Sequence, residues 1–379
     1  MNISIPVAKK YFFLFYLLTC FSLLEVSGQE AGERDGDNPE FHIELGAETF
    51  YGFDQGAGSG LGGLAAIMID MEGSIHERVS VFSAFHFDSS VWHDFMNKVE
   101  GDRQDLAFGY DVELEVEEFF ITWEAIPGAL DITAGRMFSV LSYANQLHLA
   151  DFQFNMKPRI FTDYWGDNHG FALDGLSAKL YYQHGRLDAS LITEAAKNGH
   201  ESESLSATGV LDAAINLNGL NLGLRGFGYM DHQHDDHPFL YRFSHFGDVD
   251  YAFKEGLQLN AYGGGVNALW DTSPFFNSVF LQAEGVQRAF GDDTYAGGYA
   301  FVIFSHSERL ETSFMYQQLE VPAWDNTTIL RDTEKAYIAG LSFFPWYNHR
   351  IRLEYHAYDN SMFYDNMLLL KYTFFTDLM

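Results

Sequence analysis

The chain has 379 residues, with 22 Lys and Arg against 53 Asp and Glu, a formal net charge of −31. So acidic a surface repels nucleic acid, and a single cysteine, Cys20, excludes an intrachain disulfide framework. Aromatic residues make up 17% of the chain and charged residues only 20%, a balance that suits a protein whose outer face meets lipid while its interior stays wet.

In chain order, the first element is an export signal over 1–28. Lys9 and Lys10 close a basic region, Tyr11 to Leu24 is an almost unbroken apolar run, and Val26-Ser27-Gly28 supplies the small residues of a cleavage site. Two alternatives stand beside it. The run falls short of the ~20 residues of a spanning helix, which disfavours an uncleaved anchor, and Thr19 is large for a lipid-attachment site at Cys20. Cleavage after Gly28 leaves 20 basic and 52 acidic residues and no cysteine. Residues 29–39 read as a flexible acidic N-terminus and 40–379 as one domain.

From about Asn38 the pattern has period two, the alternation of a strand with one apolar and one polar face. Phe41, Ile43, Leu45, Ala47, Thr49, Tyr51 and Phe53 oppose His42, Glu44, Gly46 and Glu48. Near the end of the chain Ile351, Leu353, Tyr355 and Ala357 oppose Arg350, Arg352, Glu354 and His356. After residue 28 no apolar run approaches the ~18–20 residues of a membrane helix. Seventeen segments carry the strand pattern, from 41–53 to 363–375, with 239–253 among them. Closed bacterial barrels use even strand numbers, and the alternation of short and long connections loses phase between 231 and 305. The expected fold is therefore all-β: a closed antiparallel transmembrane β-barrel of about 16 strands, or 18 as the alternative. A sandwich or propeller fits less well, because so many strands show no repeat of roughly 40–50 residues.

Turn chemistry supports this division. Asn218-Gly219 is a type I′ hairpin signal, and Gly185-Arg186, Glu255-Gly256 and Asn348-His349 are further tight candidates. The longest strand-free stretch, 139–170, is a long early loop, the kind of segment that is usually functional. Leu368, Leu370, Tyr372 and Phe374 resemble the terminal strand by which barrels engage their assembly machinery, although the chain runs on to Met379.

Gly135-Arg136-Met137-Phe138, then Asn145, His148 and Asp151-Phe152, then Gly166, Gly170 and Leu173-Asp174-Gly175, resemble the segment after an early strand in porin-like outer-membrane proteins. That group includes phosphate-porin-like barrels and related barrels of zinc-linked role. The pattern departs where a second His near Ala150 is missing. The resemblance implies an outer-membrane location, a homotrimer, and an early loop that folds into the lumen and narrows it. Arg136, Asp151, Lys157, Arg159, Asp163 and Asp167 are then the constriction candidates, where opposed charges set ion preference.

Glu113, Glu115 and Glu117, spaced by two, are expected to line the lumen, as are Arg350 and Arg352. A basic side chain facing lipid at the midplane would cost roughly 2–4 kcal/mol, so the alternation decides which face is inside. His232, His234 and His237, within Asp231–His237, are candidate ligands for a divalent metal, with a solvated acidic loop as the plainer reading. No other cofactor is expected. Gly58, Gly60 and Gly63 fit G-x-G-x-x-G but lack the βαβ context it needs. No G-x-S-x-G, H-E-x-x-H or paired-cysteine motif points to an enzyme, so a barrel lipid hydrolase ranks behind two other readings. The first is passive diffusion of small hydrophilic solutes or ions, with cation preference from the net charge. The alternative is a metal-binding or uptake-accessory barrel. Lipid and lipopolysaccharide are the expected surroundings.

Overall fold

The computed structural model describes residues 41–55, 59–89, 112–145, 154–155, 158, 172–198, 205–232, 258–271, 276–290, 293–324, 329–359 and 366–377. These form β1 (Phe41–Asp54), β2 (Ser59–His76), β3 (Val79–Ser89), β4 (Val112–Ile126), β5 (Leu130–Phe138), β6 (Ala172–His184), β7 (Leu187–Asn198) and β8 (Leu205–Asn216). They continue as β9 (Leu220–His232), β10 (Gln258–Trp270), β11 (Ser278–Phe290), β12 (Asp293–Ser307), β13 (Leu310–Trp324), β14 (Ile329–Phe343), β15 (His349–Asp359) and β16 (Met367–Asp377). Each strand pairs antiparallel with its neighbours in the chain, and β1 closes on β16 to complete the barrel. Closure removes the free edge, whose unpaired N–H and C=O groups lipid would not hydrate.

The barrel has sixteen strands, as the even-number argument requires. The seventeenth predicted segment, 239–253, lies outside the described residues, as do 1–28 and 29–39. The lost phase has a concrete cause. β11 ends at Phe290 and β12 begins at Asp293, so a connection at the long-loop end is tight, whereas the opposite end carries a longer link between Trp270 and Ser278. The predicted type I′ turn is present, with Asn218 at φ 46° and Gly219 at φ 92°, both in the left-handed region that favours Asn and Gly. Glu255-Gly256 lies outside the described residues.

Accessibility shows which side faces out. On β15, Ile351, Leu353 and Tyr355 are exposed while Arg352, Glu354 and His356 are buried. On β16, Leu368 and Leu370 are exposed while Lys371 and Thr373 are buried. Such inversion is the mark of a barrel whose outer row meets hydrocarbon. Two-residue alternation carries the row of each strand to the next through the register, Leu353 opposite Leu370 and Arg352 opposite Lys371.

The interior is not uniformly polar. From β6 to β14 the inward rows converge on one apolar cluster, including Phe227, Tyr229, Tyr299, Phe301, Met315 and Ile338. On β12 both rows are apolar, with Tyr295, Tyr299, Phe301 and Ile303 inward and Ala296, Ala300, Val302 and Phe304 outward. The inward rows of β15, β16 and β1 to β4 keep the expected charges. Lys371 Nζ lies 2.7 Å from Glu48 Oε1, and His86 Nδ1 lies 3.0 Å from Glu117 Oε1. The apolar half is covered from within by residues of the segment that follows β5.

Candidate functional site: a lumenal segment held by three carboxylates

β5 ends at Phe138, and the chain then turns into the barrel rather than over its rim. Its first turn is braced locally, Ala144 N donating to Ser142 Oγ at 3.0 Å and Asn145 Nδ2 to the Ser139 carbonyl at 2.7 Å. Three inward carboxylates then receive it. Glu194 on β7 accepts from Ser139 Oγ at 2.8 Å and Val140 N at 3.0 Å. Glu284 on β11 accepts from Ser142 Oγ at 2.7 Å and Tyr143 N at 3.0 Å. Glu354 on β15 accepts from Asn155 N at 2.8 Å. In the ring of sixteen, β7 and β15 stand opposite each other with β11 midway. Residues 139–143 are therefore held at β7 and β11, and Asn155 at the wall opposite β7.

Secondary contacts fix the carboxylates. Tyr299 OH donates to Glu284 and receives Gln282 Nε2 at 2.5 Å, while His356 Nε2 lies 2.9 Å from the second oxygen of Glu354. Arg225 on β9 grips Asp212 through two hydrogen bonds of 2.7 Å. It also donates to the Val140 carbonyl at 3.1 Å and stacks its guanidinium 4.0 Å over the Tyr143 ring. Burial pushes the Tyr143 phenol up to about 12, so it stays neutral there. The apolar side of the segment packs as a core would: Leu141, Ala144 and Phe154 are buried in the cluster of β6 to β14, with Phe154 edge-on to Phe301 at 5.3 Å. Charge-assisted hydrogen bonds roughly double the strength of neutral ones, and here they satisfy backbone N–H groups that would otherwise be buried without partners.

The sequence-predicted residues divide as follows. Arg352 is buried on the inward row of β15 and donates from Nε to Ser342 Oγ at 3.1 Å; Arg350 shares that row, opposite Thr373. Glu113 and Glu115 stand opposite Asp88 and His86 on β3, the register of the lumen. Glu117 does not simply continue them. The register shifts here, Phe85 opposing Val116 and Ala84 opposing Glu118. This bulge sends two successive carboxylates inward: Glu117 to His86, and Glu118 to Phe138 N at 2.9 Å. Arg136 departs from its constriction role. It stands opposite exposed Phe119 and Asp174, in the outward register, and donates from Nε to the Glu117 carbonyl at 3.2 Å. Its guanidinium is thereby tied to the wall.

Asp151, Lys157, Arg159, Asp163, Asp167, His234 and His237 lie outside the described residues, and His232 is placed only as the last residue of β9. Among the described residues no group of three or more His, Cys, Asp or Glu is disposed to hold a metal. Two glycines of the family-like motif have a packing reason. Gly135 and Gly175 are cross-strand partners; a Cβ on Gly135, at φ +133°, would lie 2.2 Å from the Phe119 carbonyl, and one on Gly175 would lie 2.4 Å from that of Ala195.

Sequence reasoning missed Glu194, Glu284, Glu354, Arg225 and Tyr299. Their inward positions were readable from strand parity. Their partners were not, because the bonds join residues up to 199 positions apart.

No family model matches the chain, and no curated protein matches it. Its fold is shared with solved outer-membrane proteins. OprB of Pseudomonas putida matches with TM-score 0.61 at 13% identity, over 89% of this chain and 94% of that one. An anion-selective porin from Comamonas acidovorans matches with TM-score 0.54 at 8% identity, over 90% and 99%. OmpT of Vibrio cholerae, in a trimer form, matches with TM-score 0.55 at 9% identity, over 90% and 100%. At such identities the likeness is one of fold: the closed sixteen-strand barrel of outer-membrane porins.

Proposed function

We propose that the chain is a porin-type channel of the outer membrane, through which small hydrophilic solutes or ions diffuse without energy coupling. The observation that carries this reading is that residues 139–143 and Asn155, which follow β5, are bonded inside a closed barrel to carboxylates on β7, β11 and β15. A segment held against the walls reduces the cross-section without being a separate plug domain, which is the construction a passive, size-limited pore needs. Cation preference is the finer part of the proposal. It rests on the net charge of −31 and on the inward acids of β1 to β4, among them Glu44, Glu48, Asp70 and Glu117. Assembly as a homotrimer is proposed by analogy with the trimeric OmpT form. No catalytic role is proposed.

Purified protein in planar bilayers tests both levels. Stepwise ohmic conductance is expected, with a reversal potential in a salt gradient that favours cations. A silent bilayer overturns the channel, whereas conductance with anion preference overturns only the finer part.

A further inference from the structure

The two ends of the barrel differ in chemistry. At the end where the chain makes its shortest turns, four of them pair a histidine with an arginine: His76 with Arg78, His184 with Arg186, His306 with Arg309, and His349 with Arg350. This clustering stands out in a chain with only 22 Lys and Arg.

The histidines share a placement. His76 stands opposite Val79, which pairs with exposed Trp123; His184 opposes Leu187, exposed on the outer face; His349 opposes Phe374. All three therefore belong to the outward row, in the collar of aromatic side chains at one rim of the barrel. Ring contacts bear this out. His184 stacks on Tyr182 at 6.5 Å, His306 meets Phe276 at 5.1 Å, and His349 lies 5.0 Å from Trp346 and 4.7 Å from Phe374. Arg78, Arg186 and Arg309 occupy the turns just beyond and are exposed, whereas Arg350 turns inward. The acids of this end are mostly on the inner wall: Asp131 pairs with Lys179 and Glu311 with Ser342, in inward registers. Only Glu77 and Glu308 share the histidine–arginine turns.

Aromatic collars mark the depth of lipid headgroups. A guanidinium just past such a collar is at phosphate level, and its planar fork matches a phosphate's oxygens. A histidine within the collar supplies a further N–H donor at the same depth. Basic groups close to a bilayer surface also gain from the negative potential of anionic lipid.

We propose that the short-turn rim of this barrel is a docking ring for anionic phospholipid headgroups, held by Arg78, Arg186 and Arg309 together with the collar histidines. The ring needs only that the barrel spans a membrane; it does not depend on an open pore. A chain of net charge −31 thus carries a local cationic seam where its outer face meets phospholipid.

The test is lipid retention by the full-length barrel, purified from mixed micelles of equimolar phosphatidylglycerol and phosphatidylcholine and weighed by native mass spectrometry. Phosphatidylglycerol is expected to outnumber phosphatidylcholine among retained lipids several-fold. Arg78→Gln, Arg186→Gln and Arg309→Gln together are expected to bring the ratio near one, and His184→Gln with His349→Gln to lower it partway. The three arginines are exposed turn residues whose replacement leaves the barrel wall intact, and the shift of the folded band on heating verifies this for every variant. Equal retention of the two lipids overturns the proposal, as does a preference that survives the arginine replacements. Full displacement of phosphatidylglycerol by millimolar inorganic phosphate would also overturn it, since that marks a free-ion site and not a lipid ring.

Discussion

The halves of the barrel interior are built on different principles. From β6 to β14 apolar inward side chains form a core that Leu141, Ala144 and Phe154 complete, with Glu194, Arg225 and Glu284 set beside it. From β15 through β1 to β4 charged pairs stand among them, Lys371 with Glu48 and His86 with Glu117, next to apolar Phe50 and Met68. The described residues that follow β5 place their apolar side chains in the first half and backbone N–H groups on carboxylates of both. A barrel stable in lipid gains nothing from burying apolar rows against its exterior, where hydrocarbon already surrounds them. It gains from burying them inside, where water is the alternative. The apolar half thus fixes the segment, and the charged half leaves a polar wall facing it.

Truncation should expose the contrast. Phe154→Ala removes a fully buried ring that packs on Phe301 and is predicted to destabilise by roughly 3–5 kcal/mol. The readout is urea unfolding in detergent, and a loss below ~1 kcal/mol would mean that the cluster is not a core. Lys371→Met, in the charged half, leaves buried Glu48 uncompensated and is predicted to cost about 3–5 kcal/mol. Adding Glu48→Gln should recover most of that, and a double variant as weak as the single one would remove the pairing argument. No second-site change of this sort can rescue Phe154→Ala, because what it lacks is volume.

A third variant separates the inner wall from the outer. Leu353 is exposed between buried Arg352 and Glu354, so Leu353→Arg places a charge toward lipid at a cost of roughly 2–4 kcal/mol. Folding yield into vesicles should drop; wild-type yield would argue that the row does not face hydrocarbon. The smallest effect is expected at the short-turn end. Gly219→Ala, at φ 92°, should cost about 1 kcal/mol, read as a small shift in the same unfolding curve. A loss as large as that of Phe154→Ala would show that the hairpin also nucleates the wall.

Most of the wall was legible in the sequence. Two-residue alternation placed β1, β15 and β16 with the correct face outward, and Asn218-Gly219 marked its turn. What parity could not supply is chemistry across the lumen. β12 reads as apolar on both faces, because Tyr299 and Phe301 point into a core whose other side comes from Leu141 and Phe154. The bulge at Glu117 shifts a simple count by one, and it follows from pairing with β3, which no single strand reveals. Arg136, drawn from the family-like motif as a constriction residue, is governed by its register opposite Phe119. Glu194, Glu284 and Glu354 looked like any solvated carboxylates of a lumen wall. Only the fold brings Ser139, Ser142 and Asn155 to them.

The proposed channel is narrowed by the residues that these carboxylates hold. Single-channel currents test it most directly, comparing the wild type with Glu194→Ala, Glu284→Ala and Glu354→Ala combined, and with the milder Ser139→Ala, Ser142→Ala pair in case the triple variant fails to fold. Discrete ohmic steps are expected for the wild type, and larger, noisier steps once the segment is released. A silent wild type, or steps of unchanged size and noise in both released variants, would contradict it.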